Sequence, residues 1–509
     1  MSRLLIATAT EPDATQGVFS RRSVFLVVAV FLVTIGTALR VFHLGDRSLW
    51  YDEAVTANAS RGTFTQVLDE TRQFSAPLIH PSILYLVEKV GKGAVAVRLP
   101  SLLASLLAVL MMLAMVRVKV SHNAALFSAA ILALSASQIR YAQEVREYSL
   151  AVLFATILIF SLLKWEADGS RRGHPALLYA ALFLAPLIQY GLVLFAFAIL
   201  STIVLRLLLT RGTCFSLSRA VIASAFLAAG GLLSFFLTLR YQFHAGKTQW
   251  YLSGNYLDPK TMSFLHFLSK NSGGLLSFLI PGRVIDLCFV VGAVIFCVLQ
   301  ARSRKFDTIT LLIFASISIT ICASVAKVYP YGGVRQCLFL APVFVLFAGV
   351  AFADLLERIK GSLRPVAIAG LMALILLSLF RGMLKERPYG EIEDTQSVLK
   401  ELAKSMAAND QVWVNHDAVA AFQFYLQKKD QRFIYGKFHA DANEYNPELL
   451  GSIDPHSDRL WLVFSHLEQP SDRAEEQLIV SSLQPGWDVH SAVSATNAEL
   501  YVAHRRISP

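Results

Sequence analysis

Residues 175–205 read PALLYAALFLAPLIQYGLVLFAFAILSTIVL, and these 31 residues contain no Asp, Glu, Lys or Arg. An α-helix rises about 1.5 Å per residue and a bilayer has about 30 Å of hydrocarbon, so about 20 apolar residues make one span. The stretch is therefore too long for a single ordinary span. Gln189, Tyr190 and Gly191 lie near its middle, where a tight turn fits, and we predict two helices that break there.

The whole chain has the composition of a polytopic membrane protein. Of its 509 residues, 55% are hydrophobic and 16% are charged, and the mean hydropathy is +0.52. These values exclude a soluble enzyme and a disordered chain. The formal charge of +10 is unevenly spread, because residues 1–387 carry 36 Lys and Arg against 18 Asp and Glu, and residues 388–509 carry 10 against 18. Basic residues beside membrane helices set topology and contact membrane lipids, so we predict no nucleic-acid partner.

Nine further charge-free stretches raise the predicted number of transmembrane helices to eleven: 23–39, 99–116, 123–139, 148–163, 220–239, 287–301, 308–326, 336–353 and 365–380. With a cytoplasmic amino terminus, marked by Arg3, Arg21 and Arg22, five short loops fall inside and carry 14 Lys and Arg: 117–122, 164–174, 206–219, 302–307 and 354–364. Without the split at Gln189, the last three loops would lie outside, and the excess of Lys and Arg in the inner loops would be lost. The basic residues that follow the last helix, Arg381, Lys385 and Arg387, do not fit the rule.

The chain is predicted to have two domains. Residues 1–387 form an all-α polytopic membrane bundle, whose first outer loop, 40–98, contains amphipathic stretches typical of helices on the membrane surface. Residues 388–509 form a small extracytoplasmic α/β domain. We predict helices at 393–408 and 474–483 and strands at 411–415, 460–464 and 498–503.

The most distinctive feature of the first outer loop is the stretch SLWYDEA, residues 48–54, in which two adjacent carboxylates follow two aromatic side chains. A plain interpretation is available, since Trp and Tyr form interfacial belts and loop acids are usually solvated. Against it, more polar side chains recur at the outer ends of the predicted helices and would lie at a similar depth: His80, Arg98, Glu144, Arg146, Tyr148, Tyr331 and Arg335.

Five stretches together resemble a known family: RVFHLGDRSLWYDEA from Arg40, HPSILYL from His80, AVRLPSLLASLLAVL from Ala96, IRYAQEVREYSL from Ile139 and YGGVRQCLFLAP from Tyr331. In this order they are similar to the GT-C glycosyltransferases related to protein O-mannosyltransferases and the lipid A aminoarabinose transferase. The resemblance implies a membrane enzyme that takes a sugar from a polyprenyl-phosphate donor. It implies transfer to a lipid, polysaccharide or protein acceptor on the non-cytoplasmic face of a plasma membrane, which we expect to be a bacterial inner membrane.

The resemblance also implies roles for individual residues. Asp52 matches the family's catalytic acid and is the candidate general base, while Glu53 orients Asp52, binds sugar hydroxyls or only accompanies it. Arg98, Arg146 and Arg335 are candidates for the donor phosphate, because a guanidinium presents a fixed fork of donors. Each arginine has an alternative role as an anchor at the membrane interface.

The remaining candidates concern substrate and metal binding. Glu144 resembles the acidic residue of the family's second outer loop, which in some members reaches the acceptor or a divalent ion. His80 has no second ligand close by in sequence, so we place it with Tyr331 among the substrate-binding residues and assign no metal ligand. No cofactor is certain, and a divalent cation is left open. The sequence has no Gly-rich phosphate loop, so it does not support nucleotide-sugar or ATP use.

Two other functions compete with a glycosyltransferase. A lipid or glycolipid transporter or flippase would also have many helices and scattered charges, although such proteins often show paired half-repeats, which we do not find here. A catalytically inactive GT-C-like scaffold is the second alternative, and the intact Asp52-Glu53 pair argues against it.

Overall fold

The computed structural model describes residues 21–73, 76–168, 175–209, 215–242, 252–280, 283–303, 306–359, 363–426, 432–437, 449, 451–454 and 457–506. Some predictions concern residues outside these ranges. They are the topology assignments of Arg3 and of the basic residues at 171–172, 211, 304–305 and 360.

Within the described residues the chain is mainly α-helical. The helices are α1 Arg21–Val41, α2 Tyr51–Ala59, α3 Phe64–Gln73, α4 Ile79–Val90, α5 Ala94–Leu113, α6 His122–Leu134, α7 Ala136–Ala142, α8 Tyr148–Asp168, α9 Ala176–Ile188, α10 Gly191–Leu209, α11 Leu217–Ser234, α12 Arg240–Gln242, α13 Phe264–Leu279, α14 Arg283–Ser303, α15 Thr308–Val325, α16 Ala341–Arg358, α17 Leu363–Glu386, α18 Thr395–Ser405, α19 Val419–Leu426 and α20 Pro470–Leu483. Short 3₁₀ turns cover Ala114–Val118, Ser253–Asn255 and Arg335–Leu340, and a π-helical turn covers Phe235–Leu239.

Every predicted membrane stretch is mainly helical. In the described part of the chain, seven helical segments are long and apolar enough to cross a membrane: Arg22–Val41, Ala94–Val118, Tyr148–Asp168, Gly191–Leu209, Leu217–Gln242, Thr308–Val325 and Arg335–Arg358. The last of these has 83% of its apolar window buried, against 22–61% for the other six, so it lies at the centre of the bundle. The protein is thus a multi-pass membrane protein, and the number of eleven spans stays a prediction.

Two breaks in the chain determine where helices of the bundle end and begin. The break predicted within residues 175–205 is confirmed, because α9 ends at Ile188 and α10 begins at Gly191. The single helix predicted over residues 123–139 is wrong: Ser135 has an extended backbone, and α6 and α7 meet there at a bend of 60°. Sequence alone does not reveal this second break, since the stretch is uncharged and contains neither Gly nor Pro.

The chain folds as two compact units. The first comprises Met1–Phe42, Leu68–His80 and Leu99–Pro388, and the second comprises His43–Val67, Pro81–Arg98 and Tyr389–Pro509. Two stretches of the first outer loop therefore fold together with the carboxy-terminal tail. The helices expected in that loop are present as α2, α3 and α4.

The tail is an α/β domain built on a five-stranded sheet of order β2-β1-β3-β5-β4. Its strands are β1 Gln411–Val414, β2 Phe433–Tyr435, β3 Arg459–Ser465, β4 Trp487–Ala495 and β5 Ala498–Arg505. Strand β1 pairs in parallel with β2 and β3, whereas β5 is antiparallel to β3 and β4.

Both faces of the sheet are covered. Trp461 and Val463 of β3 pack in one core with residues of α18 and α19, while Leu462 and Phe464 of the same strand pack in a second core with α20. The five predicted elements of the tail are confirmed within a few residues. Helix α19 and strands β2 and β4 were not predicted. Strand β4 is an edge strand with mostly exposed residues, so it lacks the apolar alternation that identifies a strand.

Candidate active site

The acidic segment, which we define as residues 48–54, turns into helix α2. Trp50 is the N-cap residue in an extended conformation, and Asp52 and Glu53 lie in the first helical turn. The positive end of the helix dipole lies at this turn, so it favours negatively charged side chains there. The two acids are adjacent in sequence and therefore project about 100° apart around the helix.

Glu53 and Arg98 form a fully buried ion pair. The Arg98 Nη2 atom lies 2.8 Å from Glu53 Oε2, and Arg98 Nε lies 3.1 Å from Glu53 Oε1. The same guanidinium donates to the backbone carbonyl oxygens of Leu44, Arg47 and Ser48 at 2.9–3.1 Å. These bonds use all five N–H donors of the arginine.

This geometry corrects the role expected for Arg98. A guanidinium with no donor left and no exposed surface cannot receive a donor phosphate without breaking the loop that it holds. Arg98 instead joins helix α5 to the backbone that precedes the acidic segment. Gly93, with φ +98, allows the left-handed turn from which α5 starts.

Asp52 differs from its neighbour in exposure. Its side chain is only partly buried, whereas that of Glu53 is 0% exposed. The Asp52 backbone carbonyl accepts a hydrogen bond of 2.7 Å from the Thr56 hydroxyl, within the helix. Of the two acids, Asp52 is therefore the more exposed one.

Tail side chains hold the backbone of the acidic segment. The Ser48 amide donates to Glu391 Oε1 at 3.3 Å, the Leu49 amide to the Tyr425 hydroxyl at 2.7 Å, and the Tyr51 amide to Glu393 Oε2 at 3.0 Å. Sequence reasoning missed these residues. The only available indication was the acidic run that starts at Glu391, and no local pattern connects it with a segment about 340 residues earlier.

Glu393, which binds the Tyr51 amide, also pairs with His466 of the tail. His466 Nδ1 is 2.6 Å from Glu393 Oε1, and the His466 ring packs 5.1 Å from the ring of Tyr51. Burial alone would lower the pKa of His466, but the hydrogen bond to Glu393 and the charges of Glu393, Asp417 and Glu468 raise it to about 9. His466 is therefore protonated at neutral pH.

The first unit contains a second group of candidates, which we call the arginine cluster: Arg146, Arg335 and Tyr148. The Cζ atoms of Arg146 and Arg335 lie 5.7 and 5.9 Å from the centroid of the Tyr148 ring. Both arginines are partly exposed. Two of the three arginines expected to bind phosphate are thus brought together around one aromatic ring.

Buried acids and a histidine lie beside the arginine cluster. Glu144 Oε1 is 3.3 Å from Arg140 Nε, and Glu147 Oε2 is 3.6 Å from Arg146 Nε. Glu144 is 1% exposed, so the plain interpretation of a solvated loop acid does not apply to it. Sequence reasoning gave Glu147 no role, although its charge acts on His80.

His80 is neutral at neutral pH. Burial lowers its pKa to about 4, and the nearby charge of Glu147 opposes this shift only in part. Within the described part of the chain its buried Nε2 atom has no hydrogen-bond partner. A neutral imidazole can donate to or accept from a ligand hydroxyl, but it contributes no charge to phosphate binding.

Tyr331 is placed differently from the expectation of a substrate-binding residue. Its hydroxyl lies 2.8 Å from the Ser272 hydroxyl, and its side chain is 1% exposed, which supports a packing role. Gly332, with φ +142, follows it, and an added Cβ there would lie 2.5 Å from Asn255 Nδ2. This tight turn leads into the 3₁₀ turn that begins at Arg335.

Among the described residues, no group of three or more His, Cys, Asp or Glu side chains is arranged to hold a metal ion. The divalent cation that the sequence leaves open stays a prediction.

Comparison with known proteins yields one partial sequence match and several whole-chain structural matches. Residues 75–239 match the family described as dolichyl-phosphate-mannose-protein mannosyltransferase. The apo structure of ArnT from Cupriavidus metallidurans is 12% identical, covers 94% of this chain and 98% of its own, and has a TM-score of 0.57. The same protein bound to undecaprenyl phosphate is 13% identical, covers 94% and 97%, and has a TM-score of 0.55.

An archaeal oligosaccharyltransferase, AglB from Archaeoglobus fulgidus in complex with an inhibitory peptide and a dolichol-phosphate, is 12% identical with a TM-score of 0.51. The similarity covers 94% of this chain and 74% of AglB. No curated protein sequence matches the chain. The similar architecture over nearly the whole chain shows that this protein has the GT-C fold of membrane glycosyltransferases, as the sequence resemblance implied.

Proposed function

We propose that the protein is an integral-membrane glycosyltransferase that moves a sugar from a polyprenyl-phosphate donor to an acceptor on the non-cytoplasmic face. The fold, the mannosyltransferase match of residues 75–239 and the undecaprenyl phosphate bound by the similar ArnT structure support this class of donor. In this proposal the tail faces outward and contributes contacts to the acceptor. The acceptor class is a lipid, a polysaccharide or a protein.

The different environments of the two adjacent acids carry the mechanistic part of the proposal. Glu53 is fully buried and committed to Arg98, so it has a structural role. Asp52 lies in the first turn of α2 and is only partly buried. Asp52 is thus the residue of the pair that is suited to act as the base.

The proposed reaction is a displacement at the anomeric carbon. The acceptor hydroxyl loses its proton to the Asp52 carboxylate, and its oxygen forms a bond to the anomeric carbon. The bond between that carbon and the phosphate oxygen breaks, and the polyprenyl phosphate leaves with the electron pair. General-base assistance of this kind is worth about 10² to 10⁴ in rate.

The arginine cluster is proposed to bind the leaving phosphate. Arg146 and Arg335 present two guanidinium groups around Tyr148, and fixed cations stabilise charge that develops on a leaving group. Neutral His80 is suited to a sugar hydroxyl, and Glu144 to the acceptor or to a divalent ion.

The test compares two aspartates of the first outer loop. Asp52→Asn keeps the shape of the side chain but removes its basicity, so kcat should fall by about 10² or more while donor affinity stays nearly unchanged. The measurement is sugar transfer by the purified full-length protein with a panel of polyprenyl-phosphate sugars.

Asp46→Asn is the matched control for this experiment. The Asp46 side chain is 73% exposed and pairs with His43, so the variant should keep the normal rate. An Asp52→Asn protein that inserts normally and transfers sugar at the wild-type rate would remove Asp52 from the mechanism.

A further inference from the structure

Helix α2 carries the proposed base but lacks a cap of its own. Its N-cap residue is Trp50, and no side-chain hydrogen bond caps the helix from that position. The first N–H groups of a helix have no partner within the helix and must be satisfied from outside. For the Tyr51 amide, the partner is the Glu393 carboxylate at 3.0 Å, from a residue 342 positions later in the chain.

Burial and a second hydrogen-bond partner fix the position of the Glu393 carboxylate. Its side chain is 0% exposed, and its second oxygen is held 2.6 Å from His466 Nδ1. The His466 ring also packs against the ring of Tyr51 at 5.1 Å. One tail acid therefore binds the helix start through one oxygen and a protonated histidine through the other, so its position is defined from both sides.

Tail residues also contact Ser48 and Leu49, but both residues precede the helix, so these contacts are less suited to set the orientation of Asp52. Glu391 accepts from the Ser48 amide at 3.3 Å, and the Gln396 amide donates to the Ser48 hydroxyl at 3.2 Å. Tyr425 accepts from the amide of Leu49, before the helix begins. Glu393 binds an amide of the helix itself, at the residue that directly precedes Asp52.

We infer that Glu393, supported by His466, is a positioning residue that caps helix α2 and thereby holds Asp52 in its working orientation. The inference rests on the proposed function, in which Asp52 is the base. In the proposed function the tail contributes contacts to the acceptor. According to this inference, the tail also contributes to catalysis. A base displaced by about 1 Å can lose about 10²-fold in rate, so a cap of the first turn matters for turnover.

The test uses the full-length protein and two independent measurements. Hydrogen–deuterium exchange of residues 49–54 reports the cap directly, and steady-state kinetics separate kcat from the KM for the donor. Glu393→Ala should speed exchange of the Tyr51 and Asp52 amides by about tenfold or more, and should lower kcat by about 10- to 100-fold with KM changed by less than about twofold. Glu393→Gln keeps an acceptor oxygen for Tyr51 and should restore most of both.

Asp488→Ala provides the matched control. Asp488 also pairs with a histidine of the tail, since His490 Nε2 lies 3.0 Å from its carboxylate, but this pair is exposed and lies on edge strand β4. The variant should leave both exchange of residues 49–54 and kcat at wild-type values.

Three outcomes would overturn the inference. In the first, Glu393→Ala leaves exchange of residues 49–54 unchanged. In the second, exchange rises equally in β1 and β3, which would make Glu393 a general stabiliser of the tail. In the third, exchange rises locally but kcat does not fall. Failure of the proposed function would look different, because an active Asp52→Asn protein leaves the exchange result intact.

Discussion

At the scale of single residues, Asp52 and Glu53 show how neighbours of the same chemistry take different roles. The helical rotation between them turns Glu53 into the protein, where Arg98 compensates its charge, and leaves Asp52 partly exposed. Removing either partner of a fully buried pair leaves an uncompensated charge. A variant of Glu53 that loses activity would therefore report a disturbed loop and would not identify a catalytic group.

Arg335 is predicted to act on donor binding, in contrast to Asp52. The phosphate charge is present before the reaction as well as in the transition state, so Arg335→Ala should weaken donor affinity. A charge-assisted hydrogen bond contributes about 1.5–3 kcal/mol, so the dissociation constant for undecaprenyl phosphate should rise by about 10- to 100-fold. Binding to the purified protein in detergent, measured by titration, checks this.

Arg358→Ala is the control for the Arg335 experiment. Arg335 and Arg358 lie at opposite ends of one helical segment, and Arg358 forms an exposed ion pair with Asp354. Equal affinities for the Arg335→Ala, Arg358→Ala and wild-type proteins would exclude Arg335 from the phosphate site.

At the scale of elements, the bend between α6 and α7 leaves backbone carbonyl groups that need new hydrogen-bond donors, and Arg40 supplies them. Because Ser135 is extended, the carbonyl groups of Leu132 and Ala133 lose their helical partners. The buried Arg40 guanidinium donates to both carbonyls, at 3.0 and 2.6 Å. The same side chain donates to the Ser105 hydroxyl at 2.8 Å, so α1, α5 and α6 are joined at one point.

Arg40→Met should therefore destabilise the bundle. Methionine fills a similar volume but leaves the two buried carbonyls without a donor, which costs about 1–3 kcal/mol for each. The apparent free energy of unfolding in detergent should fall by about 3 kcal/mol, as measured by thermal or denaturant unfolding. Arg22→Met is the control, since Arg22 is exposed near the other end of α1. Equal stability of the two variants would contradict the structural role of Arg40.

At the scale of the whole molecule, the bias of basic residues predicts the topology. Eleven spans with a cytoplasmic amino terminus place the loop at Arg304 inside and the tail at Asp410 outside. Reporter fusions that are active on only one side of the membrane, inserted at these two positions, should give opposite signals. The same signal at both positions would contradict the topology, and with it the outward-facing tail.

The sequence by itself determined the class of protein, the location of most of its apolar helices and the family resemblance. These follow from local information: the length of apolar stretches, the loop charges and short motifs such as SLWYDEA. The break after Ile188 was also predictable, because Gln189 and Gly191 interrupt an overlong apolar stretch. The elements of the tail were predictable where a short continuous apolar run marks a buried strand, as in β3.

Only the tertiary structure decided what the candidate residues do. Arg98 looked like a phosphate ligand because its type and its place at a helix end suggested it, yet its donors are consumed by Glu53 and three carbonyl groups. Glu393 looked like one acid of an acidic tail, yet it caps the helix of Asp52 from 342 positions away. The physical reason is common to both cases. Hydrogen bonds and burial depend on which groups the folded chain brings within about 3 Å, and residue type and local spacing do not encode that.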